Sequence, residues 1–196
     1  VLVNSDEEIG SPESERHIRR VARRVVRVFI PEPSMGPQGI LKTVRKGVSR
    51  FSVRVKGKAA HAGLDPTGGA SAILELAHLV LALHALTDLE RGITVNVGVV
   101  SGGTRPNVIA AEAVGEVDVR VLASADAREV EAHVRALTPA VPGTSVEITV
   151  GDVTPPLERT PRNLSLWESA RLAAQDLGLE LQEGTAGGGS DGNLTS

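Results

Sequence analysis

The chain has 196 residues, of which 41% are hydrophobic and 23% charged, a composition typical of one or two globular domains rather than a disordered tail. It contains no Tyr, one Trp and two Phe, so binding of nucleic acid through stacked aromatics is nearly excluded, and the formal charge of -3 argues against a polyanionic partner. Because Cys is absent, disulfides, thiolate metal clusters and a cysteine nucleophile are excluded, and any metal must be held by carboxylate or imidazole groups.

The first part of the chain predicts a strand, a helix and a second strand. The apolar run at 1–3 leads into acidic residues and is interpreted as a strand interrupted by truncation, so we expect the sequence to be a segment of a longer protein. Apolar residues at helical spacing predict a helix over 13–24. The apolar run at 25–30 predicts a short strand that two prolines end, which places Glu32 at the exit of this strand.

The middle of the chain alternates apolar and polar residues with a period of two. This pattern predicts strands near 51–55, 93–99, 117–121 and 146–150, with helices near 69–86 and 126–137. The order strand, helix, strand, strand, helix, strand is that of the ferredoxin-like (βαββαβ) unit, an antiparallel sheet with both helices on one face.

The last part of the chain follows two adjacent prolines. It predicts a helix over 164–177, a short strand over 179–182 and a glycine loop over 187–192. The segments 1–46 and 155–196 share a strand-helix-strand character. We therefore predict an α/β protein in which a ferredoxin-like unit, 48–152, is inserted into a discontinuous α/β domain.

The helix near 69–86 is apolar on more sides than one sheet face can bury. Leu76, Val80 and Leu83 lie on one side, and Ile73, Ala77 and Leu81 lie on another. This excess of apolar surface favours a homodimer over the alternative of a helix fully buried within one chain. The apolar stretch is interrupted by polar residues and is short for a bilayer span, so no membrane association is expected.

Three carboxylates are candidates for metal and proton chemistry. Glu7 and Glu8 are adjacent after the first predicted strand, so one could bind a metal while the other handles a proton. Alone, the pair is more often a favourable start to a helix. Glu32 lies at the end of the next predicted strand. Because ligands of open α/β sheets bind at the carboxyl ends of strands, the three carboxylates together favour a ligand site over a helix start.

His61 lies between small residues that leave its imidazole accessible, although an isolated turn histidine is more often merely solvated. The other four histidines are interpreted as structural. Arg120 could bind a substrate carboxylate and Asn107 a peptide carbonyl, with an exposed Asp118–Arg120 ion pair as an equally good reading. The loop at 187–192 matches a dinucleotide-binding pattern, but it is better interpreted as a glycine loop whose backbone amides approach a polarised carbonyl.

Several of these motifs together resemble the M20 metallopeptidases in order and spacing, in particular their glutamate carboxypeptidase-like branch. Related branches include acetylornithine deacetylase, succinyl-diaminopimelate desuccinylase and the aminoacylases. The motifs that carry the resemblance are Asn-Ser-Asp-Glu-Glu-Ile-Gly-Ser at 4–11, Glu-Pro at 32–33, Gly-Lys-Ala-Ala-His-Ala-Gly at 57–63, Asn-Val-Ile at 107–109, Asp-Val-Arg at 118–120 and Gly-Gly-Gly-Ser-Asp-Gly-Asn at 187–193.

The resemblance implies a hydrolase with two Zn²⁺ ions per subunit, other divalent metals being possible, that attacks an amide carbonyl with a metal-bound hydroxide. Glu7 would be the general base, and Glu8 and Glu32 would each bind one zinc. His61 would stabilise the oxyanion in the active site of the partner subunit. Asn107, Arg120 and Gly188 would contact the substrate, a small peptide or N-acyl amino acid, with Arg120 on its free carboxylate.

The sequence also departs from the family pattern. A His-x-Asp motif and a bridging Asp are expected before Val1, and a last His ligand is expected beyond Ser196. With two of five ligands present, the chain as written is expected to be inactive and the full-length parent to be the enzyme. Ala110 also stands where the family usually has Pro.

A second hypothesis is a dimerisation or binding module without catalysis. Because no signal peptide is recognisable, the expected location is the cytoplasm.

Overall fold

The computed structural model describes residues 1–196, and the fold is mixed α/β. A 3₁₀ turn at Glu7–Ile9 precedes the regular elements. The helices are α1 (Glu15–Ala22), α2 (Ala72–His84), α3 (Ser124–Arg135), α4 (Pro161–Asp176) and α5 (Asp191–Thr195). The strands are β1 (Leu41–Arg45), β2 (Gly47–Lys56), β3 (Thr94–Gly102), β4 (Glu112–Val121), β5 (Ser145–Thr154) and β6 (Glu183–Ala186).

The chain divides into two compact units. We call the first the terminal unit, which comprises Val1–Val48, Val121–Ser124 and Thr154–Ser196. We call the second the central unit, which comprises Ser49–Arg120 and Ala125–Val153. The catalytic and dimerisation roles that the sequence suggests for the corresponding segments stay predictions.

The central unit contains a four-stranded sheet in the order β3-β4-β2-β5, with β3 and β4 antiparallel. Phe51, Val53 and Val55 on β2 are buried, as their alternation with polar neighbours predicts. Helix α2 approaches the sheet so closely that a Cβ added at Gly115 of β4 would lie 3.2 Å from a methyl group of Leu76. The core of this unit is therefore built from aliphatic side chains at close range.

Helix α2 has a clear start and two different sides. The Ser71 hydroxyl accepts a hydrogen bond from the Leu74 N–H at 3.2 Å and caps the helix. Leu76 and Leu83 are buried, whereas Ile73, Ala77 and Leu81 are exposed. The second apolar side that the sequence indicates is thus open in the single chain.

A charged side chain fixes α2 to a distant loop. Glu75 is fully buried, and its Oε2 atom accepts hydrogen bonds from the N–H groups of Ala140 and Val141 at 2.8 and 2.6 Å. The hydroxyl of Thr144 is 3.3 Å from the same oxygen. Glu75 thus accepts hydrogen bonds from backbone N–H groups of the α3–β5 loop that would otherwise be unpaired.

The terminal unit contains a two-stranded parallel sheet of β1 and β6, in which Arg45 is in register with Ala186. Strand β6 leads into the glycine loop, and Ser190 and Asn193 then form a capping box at the start of α5. Asn193 also donates hydrogen bonds to the carbonyls of Lys46 and Pro155. Its side chain therefore joins three segments that are far apart along the chain.

Three predicted strands are wrong. The runs at 1–3 and 25–30 form no strand, because no segment of residues 1–196 offers them a hydrogen-bonding partner. Glu32 therefore follows an irregular segment rather than a strand. The strand predicted at 179–182 begins later, at Glu183, where pairing with the unpredicted strand β1 is possible.

None of the helices combines the length and the apolar character needed to cross a lipid bilayer.

Candidate functional site

The turn that carries Glu7 and Glu8 is attached to the start of α1. Asp6 accepts hydrogen bonds from the N–H groups of Glu13 and Ser14, both at 3.0 Å, and from the Ser14 hydroxyl at 2.5 Å. The hydrogen bond from Ser14 is the main cause of the lowered pKa of Asp6. The two glutamates thus sit on a 3₁₀ turn with a fixed exit, not at the end of a strand as the sequence suggests.

The same turn is attached to the glycine loop through Asp191. One oxygen of Asp191 accepts a hydrogen bond from the Ser11 hydroxyl at 2.5 Å, and the other accepts one from the Asn4 side chain at 2.9 Å. Ser11 is almost completely buried and adopts a left-handed backbone with φ 55°, which is unfavourable for a residue other than glycine. The hydrogen bonds of Asp191 stabilise this conformation next to the two glutamates.

Glu7 is half-buried and lies among other carboxylates. Burial raises its pKa above the ordinary value, and repulsion from Glu32, Glu8 and Asp191 raises it further. These carboxylates come from three separated parts of the sequence, so the fold concentrates negative charge around Glu7. A carboxylate with a raised pKa is suited to accept a proton near neutral pH.

Glu32 is held by two cationic side chains. Arg45 donates a hydrogen bond to its Oε2 atom, and the Lys42 ammonium lies 3.6 Å from the same atom. Burial alone would raise the pKa of Glu32, but the Ser190 hydroxyl and the Arg45 guanidinium together lower it. Glu32 is thus kept ionised.

The second oxygen of Glu32, Oε1, is buried and has no hydrogen-bond partner. Buried carboxylate oxygens are rarely left without one, so this atom suits a role as a cation ligand. However, no group of three or more His, Asp and Glu side chains in the chain could hold a metal ion. The side chains of this chain therefore do not complete a metal site.

Arg45 reaches the glycine loop as well as Glu32. Its Nη1 atom donates hydrogen bonds to the carbonyl oxygens of Gly188 and Gly189, both at 3.1 Å. The carbonyl of Gly188 therefore points toward Arg45. A Cβ added at Gly188 would have no other atom within 4 Å. One side of the loop is open.

His61, in the central unit, has a defined orientation. Its Nδ1 atom accepts hydrogen bonds from the N–H groups of Gly63 and Leu64 at 3.2 and 3.1 Å, which in the neutral ring assigns the proton to Nε2. The residue is exposed, and its backbone pairs with Val108 in an isolated antiparallel bridge. An exposed imidazole with an available Nε2–H can donate a hydrogen bond to a ligand.

Arg120 and Asn107 also belong to the central unit. The guanidinium of Arg120 forms a two-point interaction with the carboxylate of Asp118, at 2.8 and 3.3 Å. Asn107 is exposed and lies in the turn before β4, which begins at Glu112. The backbone carbonyl of Asn107 accepts a hydrogen bond from Ala62, which connects this turn to the segment of His61.

Two residues at the site were not predicted. Arg45 was missed because arginine is usually solvent-exposed and no element was predicted at 41–45, whereas its side chain is only 9% exposed. Asp191 lies in the motif at 187–193, but the sequence assigns it no role. Its position after three glycines and before a short helix was the available signal that this side chain could turn inward.

A model of the M20 peptidase dimerisation domain matches residues 43–146, more than half of the chain. The chain belongs to the M20 peptidase family. This confirms the resemblance noted in the sequence and shows that a dimerisation domain of the family is present.

Two curated relatives illustrate the similarity. Carboxypeptidase G2 of Pseudomonas sp. (strain RS-16) is 32% identical over 126 residues, which cover 64% of this chain and 30% of the relative. Acetylornithine deacetylase of Myxococcus xanthus is 33% identical over 120 residues, which cover 56% of this chain and 30% of the relative. The matched part of this M20 chain thus spans less than a third of either relative.

Among solved structures, aminopeptidase PepT from Bacillus cereus matches with a TM-score of 0.70 at 22% identity, over 93% of this chain and 51% of that protein. An aminobenzoyl-glutamate utilization protein from Klebsiella pneumoniae matches with a TM-score of 0.62 at 24% identity, over 83% of this chain and 44% of that protein. At these identities the similarity shows a shared fold.

Proposed function

We propose that this chain is a segment of a metal-dependent M20 hydrolase that cleaves an amide bond, releasing a C-terminal amino acid or deacylating an N-acyl amino acid. The single observation that carries the proposal, given membership of the family, is the half-buried Glu7 among Glu8, Glu32 and Asp191, because burial and like charges make it a competent base. The names of the two curated relatives, carboxypeptidase and acetylornithine deacetylase, support the same class of reaction.

In this proposal Glu7 is the general base, and Glu8 and Glu32 each bind one of two zinc ions. A bound divalent metal would supply Lewis acidity toward the amide carbonyl. Glu32 would contribute through Oε1, the oxygen that no protein group occupies. Glu7 would take a proton from water and pass it to the leaving amine. The number and identity of the metals, and the inactivity expected of this chain by itself, stay predictions.

The central unit would recognise the substrate and form the dimer. We propose that its sheet, in the order β3-β4-β2-β5, is a ferredoxin-like lid and dimerisation domain. His61 would donate its Nε2–H to the developing oxyanion in the partner subunit, and Asn107 would bind a carbonyl. Arg120 would bind the substrate carboxylate in exchange for part of its interaction with Asp118, and Gly188 would approach the substrate through its backbone.

A homodimer is proposed through the open side of α2. Leu81 is 72% exposed there, and Val99 and Val100 of the edge strand β3 are also exposed. Apolar surface of this kind is typical of a protein interface. The cytoplasmic location expected from the sequence stays a prediction.

The test of the proposed reaction is Glu7→Gln in the complete protein, assayed on a panel of N-acyl amino acids and dipeptides. We expect kcat to fall by about 100-fold or more because the general base is lost, while the metal content stays unchanged. Glu13→Gln, at an exposed position near the same turn, is the matched control and should keep full activity. Full turnover by the Glu7→Gln variant would contradict the assigned role.

The alternative function is a dimerisation or binding module without catalysis. It is favoured by the family match at 43–146, which covers the dimerisation domain alone. Metal analysis of the complete protein distinguishes the two. About two zinc ions per subunit would support the hydrolase, and a metal-free protein that hydrolyses none of the panel would support the module.

A further inference from the structure

We propose that Arg45 is a positioning residue that fixes Glu32 and the glycine loop in one arrangement. The proposal rests on the proposed function, because it takes Glu32 and this loop to be parts of the active site. Arg45 carries no assigned role in the sequence motifs of the site.

The contacts of Arg45 use the forked shape of its guanidinium. Nη1 donates to the carbonyls of Gly188 and Gly189, and Nη2 donates to Oε2 of Glu32. These acceptors come from segments about 150 residues apart in the sequence. A lysine ammonium at the end of a flexible stem does not reproduce this planar set of donors. The three contacts therefore require arginine.

The backbone of Arg45 is itself held on two sides. Its N–H donates to the carbonyl of Leu157 at 3.1 Å, and its carbonyl accepts from the Leu157 N–H at 3.0 Å. On the other side it is in register with Ala186, whose carbonyl accepts from the Lys46 N–H at 3.0 Å. With backbone hydrogen bonds on one side, strand pairing on the other and a side chain only 9% exposed, Arg45 is held firmly within the terminal unit.

The first consequence concerns which oxygen Glu32 offers. Arg45 and Lys42 both engage Oε2, and Oε1 remains buried without a partner. A carboxylate held in this way presents one oxygen in a set direction. Groups that bind the other oxygen of a metal-ligating carboxylate commonly control its orientation and its affinity for the metal.

The second consequence concerns the loop. In a trans peptide the N–H points opposite to the carbonyl, so turning the Gly188 carbonyl toward Arg45 turns the Gly189 N–H away from it. The next N–H, of Ser190, is taken by the Asn193 side chain at 2.9 Å. Arg45 thereby selects one loop conformation, with open space beside Gly188.

The experiment compares Arg45→Lys with the wild type in the complete protein. Lysine keeps the positive charge beside Glu32 but loses the carbonyl contacts. We expect kcat to fall by about 10–100-fold because Glu32 is misplaced, and KM to rise because the loop that carries Gly188 contacts the substrate in the proposed function. Amide hydrogen exchange of Ser190, the loop N–H that donates to the Asn193 side chain, should become about tenfold faster when followed by NMR, while the rest of the chain keeps its exchange rates.

Arg159→Lys is the matched control. Arg159 pairs with Glu183 at 2.6 Å in the same unit, but it is half-exposed and contacts neither Glu32 nor the loop. This variant should keep wild-type kinetics and loop exchange. Arg45→Gln adds the loss of charge, and we expect it to lower kcat at least as far as Arg45→Lys does.

Two results would overturn the proposal. One is an Arg45→Lys variant with wild-type kcat and wild-type loop exchange. The other is faster exchange spread equally over the whole unit, which would indicate a general stabilising role. A wild-type protein that hydrolyses none of the panel, together with selective loosening of the loop in Arg45→Lys, would contradict the proposed function and leave the positioning role supported.

Discussion

The central and terminal units differ in what joins their distant segments. In the central unit, alternating aliphatic residues such as Val117 and Val119 fill the core, and Glu75 is the only polar residue that is buried. In the terminal unit, side chains that join distant segments are polar, namely Arg45, Asp191 and Asn193. Aliphatic packing tolerates many sequences, whereas a hydrogen-bond network depends on individual atoms. The comparison indicates that substitutions should act differently in the two units.

The largest effect on stability is expected in the aliphatic core. Leu83→Ala removes a fully buried side chain and leaves a cavity, so the free energy of unfolding should fall by about 2–5 kcal/mol. Chemical denaturation measures this value. Leu89→Ala, at a 76% exposed position in the turn after α2, is the matched control and should change the free energy of unfolding by less than about 0.5 kcal/mol. Equal losses for both variants would contradict the placement of Leu83, rather than Leu89, in the core.

Leu81, on the open side of α2, tests the proposed dimer. Leu81→Asp places a charge on the open apolar side and should convert the dimer to monomer in sedimentation equilibrium, without unfolding α2. A wild-type chain that sediments only as monomer at high concentration would contradict the proposed interface.

In the terminal unit, Asn193→Ala should lower the free energy of unfolding by about 1–3 kcal/mol, because the half-buried carbonyls of Lys46 and Pro155 lose their donor. The loss arises from hydrogen bonding, so Asn193→Leu, which restores apolar volume, should not recover it. Asn96→Ala, at an exposed position in β3, is the control and should be neutral. Recovery of stability by leucine would show that the terminal unit is held by packing, as the central unit is.

The smallest effect is expected from a surface ion pair of the central unit. Hydrogen bonds from Arg91 lower the pKa of Glu129 below its ordinary value of 4.5. A carboxyl group whose folded pKa is lowered stabilises the fold above the unfolded value, and this contribution is lost as pH falls through the folded pKa. The difference in unfolding free energy between wild type and Arg91→Gln should therefore shrink as pH falls below 4.5. It should also shrink in high salt, because exposed pairs are screened.

The central unit was predictable because its signals are local. Phe51, Val53 and Val55 show the period of a half-buried strand without knowledge of any other segment. The sequence therefore gives the order of elements, with boundaries that shift by a few residues. Strand β1 was missed because Arg45 is buried, whereas the alternation of polar and apolar residues predicts that a charged residue in a strand faces solvent.

The candidate site was predictable only where motifs mark it. Glu7, Glu8 and Glu32 came from their order along the chain, and the raised pKa of Glu7 is consistent with their proximity. The motifs do not contain Arg45, which binds Glu32. The contact between Arg45 and Gly188 spans 143 residues, and no local pattern reports an interaction at that separation. The strands expected at 1–3 and 25–30 failed for a related reason, since a strand depends on a partner that its own sequence does not specify.

The buried carboxylate of Glu75 has a consequence for assembly. Because it is hydrogen-bonded to the backbone of Ala140 and Val141, α2 cannot rotate about its long axis without breaking both bonds. The direction of the Leu81 side chain is therefore fixed within each protomer before the proposed dimer forms. In the proposed dimer, two α2 helices would therefore bind through preformed surfaces and would not have to change orientation on binding.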